Sequence, residues 1–195
     1  MSDRPSKLGG RLIVIAAPSG AGKTSLTRAL IERLAARGIR GEFSVSYTTR
    51  APRLGERDGV DYHFVTPEVF ADRVARDAFL EHAEVFGRRY GTGREVTERL
   101  LAEGRHVFLD IDWQGARQVR QRFPEAISLF IQPPSMPELE RRLRARGQDD
   151  DATIARRMQA AEEELSHAGE FDHVLVNDDF GQTVGQLEAL VALPR

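Results

Sequence analysis

The sequence contains no cysteine, which excludes a disulfide framework and a thiolate-ligated metal and suits a reducing compartment. It has no long apolar run. The N-terminal "MSDRPSKLGG" lacks the apolar centre of a secretion signal, and the "RLIVIAA" that follows is too short to span a bilayer. A cytoplasmic location is the expectation, with no membrane partner. The formal net charge of -2 gives no electrostatic ground for a nucleic-acid partner. The five histidines fall at no metal-ligand spacing. Lysine is scarce: of 28 basic residues only Lys7 and Lys23 are lysine, and the rest are arginine. The chain has 195 residues, 41% hydrophobic and 30% charged, which fits one globular domain.

One of the two lysines sits in "APSGAGKTS", Ala17 to Ser25. This is G-x-x-x-x-G-K-[ST] with Ala17 in place of the first glycine. The apolar run before it reads as a strand buried on both faces. After it, Leu26, Leu30 and Leu34 recur at helical spacing, and Gly38 closes the helix. A strand, a glycine-rich loop and a helix in this order make a phosphate cradle. Backbone N–H groups from Ala17, Ser19, Gly20, Ala21, Gly22, Lys23, Thr24 and Ser25, with Pro18 among them, surround one concavity, and the helix N-terminus adds partial positive charge. Lys23 is expected to reach the β- and γ-phosphates, and the Thr24 hydroxyl to ligate Mg2+. Gly20 and Gly22 are expected to carry the tight curvature while Ala17 stays extended. The glycines do not complete G-x-G-x-x-G, which disfavours a dinucleotide fold.

Three further segments, "HVFLDI", "ISLFIQ" and "HVLVN", read as buried strands. Between them lie helical segments. Ser135 to Glu138 has capping-box spacing, and Ile154, Met158, Ala161 and Leu165 line one helix face. The alternation implies an α/β fold with a mainly parallel sheet flanked by helices. Residues 43 to about 92 break the rhythm and read as a small, mostly antiparallel insert. Within it Phe79, Glu81, Ala83 and Val85 alternate onto one side. The core is expected over about 11–42 and 93–195, after a flexible tail at 1–10.

Asp110 and Asp112, in "LDIDWQG", are two apart and would share one face of a strand. A carboxylate beside a phosphate loop commonly serves the metal ion. The pair could equally cap the helix that follows.

The stretches "SVSYTTRAPRLGERDGVDYHFV", "FLEHAEVFGRRYGT", "FLDIDWQGARQVR", "RLRARGQ" and "VNDDF" resemble the guanylate kinases, the bacterial-type members of the phosphate-loop nucleoside monophosphate kinases above all. The resemblance runs over about residues 11–192, in the family's order, and the family tolerates alanine at the position of Ala17. It implies transfer of the γ-phosphoryl of ATP to GMP, giving ADP and GDP, in purine nucleotide metabolism. It implies Mg2+ bound with ATP, with Thr24 and Asp110 on the metal. By similarity, Arg50 and Arg53 clamp the GMP phosphate, with Tyr62 and Tyr90 adding hydroxyls. Arg146 and Arg157 arrive on a lid at about 142–158 and stabilise the transferring phosphoryl beside Lys23. Arg142 and Asn177 resemble adenine-side contacts. Arg141, Arg144 and Arg156 read as solvated surface.

The resemblance also assigns the guanine site. Glu81 and Asp112 would accept from the base N–H donors, Ser46 would meet O6, and Thr92 would join on the N2 side. The residues alone do not choose Glu81 over Glu84; the family pattern does. Adenine offers no donor at N1, so it would leave buried carboxylates unpaired and be rejected. Three rivals remain at this stage: a scaffold-type binding module of the same fold, a related kinase with another acceptor, and an NTPase that hydrolyses without transfer. A homo-oligomer is compatible with the sequence.

Overall fold

The structure, a computed structural model, describes residues 9–147 and 149–192. Most of the expected tail, Gln148 of the expected lid and residues 193–195 lie outside the described residues. Gly10, placed in the tail, is packed: it is buried, and its N–H donates to the Leu101 carbonyl.

A five-stranded parallel sheet forms the core. Its strands are β1 (Leu12–Ala16), β2 (Gly41–Phe43), β7 (His106–Asp110), β8 (Ile127–Gln132) and β9 (His173–Val176), in the order β2-β7-β1-β8-β9. β1 is central, and the period of two explains why its run is apolar throughout. Leu12, Val14 and Ala16 join Leu109, Val119 and Phe130 in one core layer. Ile13 and Ile15 join Leu26, Leu30, Leu34 and Leu187 in the other. α1 (Lys23–Ala36) and α7 (Phe180–Ala192) pack together beside the second layer. α3 (Arg94–Ala102) and α4 (Trp113–Arg122) supply the first. β9 departs from the expectation of a buried strand. It is an edge, where Leu175 is buried while Val174 and Val176 are exposed.

The insert carries a second sheet, in the order β4-β3-β6-β5, built from β3 (Tyr47–Thr48), β4 (His63–Phe64), β5 (Phe79–Val85) and β6 (Arg88–Gly93). Two of its pairings are antiparallel and one, β3 with β4, is parallel. It also holds a helix, α2 (Pro67–Ala75), that the patterning argument passed over. Its start is conventional: the Thr66 side chain accepts from the Val69 N–H, and Pro67 opens the first turn. Phe79 leaves the expected alternation, because a register shift between Phe79 and Glu81 turns its ring toward Phe70 and His82.

α5 (Met136–Ala145) and α6 (Asp151–Ser166) lie one after the other around the expected lid. Leu139, Leu143 and Ala161 pack between them, with Met136 and Met158 alongside. Ser135 caps α5 by accepting from the Glu138 N–H. The Glu138 carboxylate does not complete the reciprocal bond of a capping box; it binds Arg141 and Arg142 instead.

Candidate active site

The carboxyl end of β1 opens into a cavity of about 810 Å3. The position is the expected one for an open α/β sheet. The phosphate loop forms its floor. Gly20 and Gly22 have φ of 99° and 97°, conformations that other residues rarely adopt. A Cβ at Gly20 would press on Leu139 and Leu143, and one at Gly22 on Asn177. Ala17 is buried and keeps an ordinary negative φ, so its methyl costs the loop nothing.

Lys23 forms an ion pair with Asp110 and donates to the Ile111 carbonyl at 3.3 Å. Burial works against the ammonium charge, but the Asp110 carboxylate outweighs it and holds the pKa above its ordinary value. The Thr24 hydroxyl donates to the other Asp110 oxygen at 2.9 Å. Two hard oxygen donors thus stand together on the cavity wall. Among the described residues no cluster of three acidic or histidine side chains is able to hold a metal alone. The Thr24–Asp110 pair fits Mg2+, which binds through one or two protein oxygens together with substrate phosphates.

On the insert side, Arg50, Arg53, Tyr62 and Tyr90 line the cavity, as do Ser46 and Glu81. Glu81 is only 3% exposed, and burial raises its pKa to about 7 against a 2.5 Å hydrogen bond from the Thr92 hydroxyl, with Asp112 adding to the rise. Asp112 also faces the cavity. It does not share a strand face with Asp110, because β7 ends at Asp110. Asp112 is the N-cap of α4 and accepts from the Gly115 N–H at 2.8 Å. The capping alternative holds for one aspartate of the pair: Asp112 caps the helix, whereas Asp110 meets the lysine and the Thr24 hydroxyl.

From the end of α5 and from α6, Arg146 and Arg157 reach the same cavity. Arg157 pairs with Asp149 at 3.2 Å and donates to the Ser19 hydroxyl at 3.3 Å, tying α6 to the phosphate loop. Cations therefore approach the loop from both flanks, and a buried carboxylate lies across from it.

The guanylate kinase family model matches residues 9–193. A guanylate kinase of Idiomarina loihiensis is 56% identical over 186 residues, covering 95% of this chain and 88% of the relative. One of Alkalilimnicola ehrlichii is 54% identical, covering 95% and 90%. The crystal structure of guanylate kinase from Anaplasma phagocytophilum superposes with a TM-score of 0.77 at 34% identity, covering 95% of this chain and 86% of that one. The chain belongs to the guanylate kinase family.

Not every residue that the guanylate kinase resemblance nominated faces the cavity. Ala21 is fully buried behind the loop. Thr92 is buried too and acts on the cavity only through Glu81. Arg142 and Asn177 stand away from the lining: Asn177 donates to the Ala21 carbonyl at 2.7 Å, and Arg142 donates to the Asn177 carbonyl at 3.1 Å. Together they brace the phosphate loop from behind. Arg141 and Arg144 are exposed and paired with Glu138, Glu140 and Asp151, as a solvated surface predicts. Arg156 is exposed as well, and it also lines the cavity.

Two further charged residues of the lining were missed. Glu164 lies on the cavity wall, and burial raises its pKa to about 7 although the Lys23 charge opposes this. It follows Arg157 by seven residues, two helical turns on one face, a spacing visible in the sequence. Arg88 lines the rim from β6 and carries no sequence signal of its own. Among the described residues no helix is long and apolar enough to cross a membrane.

Proposed function

We infer that the chain transfers the γ-phosphoryl group of ATP to GMP, giving ADP and GDP, within cytoplasmic purine nucleotide metabolism. The observation that carries this reading is the placement of Glu81 and Asp112 in the cavity that also contains the phosphate loop. Guanine presents N–H donors, and two carboxylates accept them. Adenine lacks the N1 donor, so its entry would leave desolvated acceptors unpaired.

The acceptor is a phosphate oxygen already ionised at neutral pH, so no general base is required. The work is positioning and charge stabilisation. Lys23 holds the β- and γ-phosphates over the loop. Arg50 and Arg53 hold the acceptor phosphate, supported by the Tyr62 and Tyr90 hydroxyls, and planar guanidinium forks suit both tasks. Arg146 and Arg157 meet the charge spread over the transferring group. Thr24 and Asp110 would hold Mg2+, which when bound would neutralise part of the phosphate charge. Ser46 and Thr92 complete the guanine end, Thr92 by orienting Glu81. Residues 43–92 serve as the GMP-binding lobe and 142–158 as the lid, whose closure keeps water from the γ-phosphate. Arg142 and Asn177 support the ATP side by fixing the loop.

The test is product formation from ATP and Mg2+ with GMP, AMP, CMP or UMP in turn. ADP and GDP in equal amounts, with GMP alone effective, is the expected result. ADP released independently of acceptor would make the protein an NTPase.

A further inference from the structure

Arg50 is a long side chain on the connection between two short strands, β3 and β4, and such a side chain loses about 2 kcal/mol of rotamer freedom when fixed. It is nonetheless held. Its Nη1 donates to the Ala51 carbonyl at 2.9 Å and to Glu56 Oε2 at 2.9 Å, and its Nη2 donates to Glu56 Oε1 at 2.8 Å. The guanidinium also stands 5.2 Å from the Tyr62 ring centroid. Glu56 Oε2 takes one more bond, from the Arg53 backbone N–H at 2.7 Å. One carboxylate thus organises both residues proposed to clamp the acceptor phosphate. The arrangement holds Glu56 below the usual carboxylate range, with the Arg50 hydrogen bonds as the main cause.

A carboxylate in a bidentate pair with a phosphate-binding arginine has two readings. It is either a stand-in for the phosphate, to be displaced when substrate arrives, or a fixed support. The cavity lining decides between them: Arg50 and Arg53 line it, and Glu56 does not. Glu56 therefore holds the fork from outside the cavity lining. Three of the five guanidinium donors are committed to Ala51 and Glu56, which leaves Nε–H and one Nη2–H for a ligand. We propose that Glu56 is a positioning residue that fixes the Arg50 fork and the Arg53 backbone for the phosphate of GMP, and that it stays in place when GMP binds. The proposal rests on the GMP reading above.

Glu56→Gln keeps the shape but loses the charge-assisted bidentate pair. Calorimetric binding of GMP and of guanosine, which lacks the phosphate, separates the two ends of the site. The expected result for the variant is a loss of roughly 10- to 100-fold for GMP, the scale of a misplaced anchoring group. Guanosine and ATP affinities should stay within about twofold, and Glu56→Asp should recover part of the loss, because it restores the charge. Equal losses for guanosine and GMP would show a merely structural role and overturn the proposal. Tighter GMP binding would identify Glu56 as a displaced stand-in, and unchanged GMP binding would remove it from the site; either overturns it as well. Wild-type protein that binds ATP but not GMP would instead sink the GMP reading itself.

Discussion

The Thr92 hydroxyl donates to Glu81 Oε1 at 2.5 Å, across the β5–β6 pairing in which the two residues are register partners. The bond aims a carboxylate that burial would rather keep protonated. The Glu81 pKa of about 7 stands well above its ordinary 4.5.

The sign of the resulting pH dependence follows from that shift. Below about pH 4.5 the carboxyl is neutral in the folded and unfolded chains alike, so its full contribution to stability is present. As pH rises through about 7 the folded chain must ionise a buried group, and stability falls. Glu81→Gln should therefore match wild type near pH 4.5 and be more stable at pH 8, by up to about 3 kcal/mol at 1.36 kcal/mol per pKa unit. Urea unfolding of the nucleotide-free protein at the two pH values measures this. Guanosine affinity should fall about tenfold per pH unit below 7, as the acceptor protonates.

Asp112 caps α4 and is proposed to accept from guanine, two roles that substitution separates. Asparagine caps a helix about as well as aspartate, whereas alanine costs about 1 kcal/mol. Asp112→Asn should keep the wild-type Tm, and Asp112→Ala should lower it. Both should raise the KM for GMP by about tenfold or more, the scale of a lost charged hydrogen bond.

Gly115 has the same kind of hidden constraint. A Cβ at this position in α4 would collide with Glu81 Oε2 and sit 3.4 Å from Asp112 Oδ1. Helix propensity alone would favour alanine by about 1 kcal/mol. Gly115→Ala should leave helical content unchanged by circular dichroism, leave the KM for ATP within about twofold, and raise that for GMP by at least about tenfold, because a displaced carboxylate no longer meets the base.

The phosphate loop offers a contrast. Ala17→Gly should change ATP affinity by less than about twofold, since Ala17 has no strained backbone to relieve. Gly20→Ala or Gly22→Ala should cost about 1 to 3 kcal/mol, because each glycine combines a positive φ with close neighbours. ATP titration of the three variants checks both halves.

Much of this was legible in the residues. The buried strands around β1 declared themselves because a parallel sheet covered on both faces needs continuous apolar runs, and the loop did so because Gly20, Gly22, Lys23 and Thr24 follow one of them. β9 misled for the same reason: "HVLV" is apolar, but apolar residues also stand at edges, and only the strand order reveals an edge. Helix α2 was hidden in a stretch dense with arginine and aspartate, where Phe70 is its one buried residue. The bulge before Glu81 shifts Phe79 without altering composition. The motif marks Asn177 and Arg142 as positions near the ATP side, and only the structure reveals that their hydrogen bonds also make them a brace for the loop. Glu56 and Gly115 left no signal, because their importance lies in which side of a neighbour they touch.

The central claim is that two carboxylates choose guanine: Glu81, which is buried, and Asp112, which is half-buried. The most direct measurement is kcat/KM for GMP in wild type and Glu81→Gln, at saturating ATP and Mg2+, with the KM for ATP measured alongside. A loss of about 100-fold or more for GMP, with the KM for ATP unchanged, is the outcome this account requires, given what an unpaired buried group costs. A Glu81→Gln enzyme that phosphorylates GMP as well as wild type would contradict it.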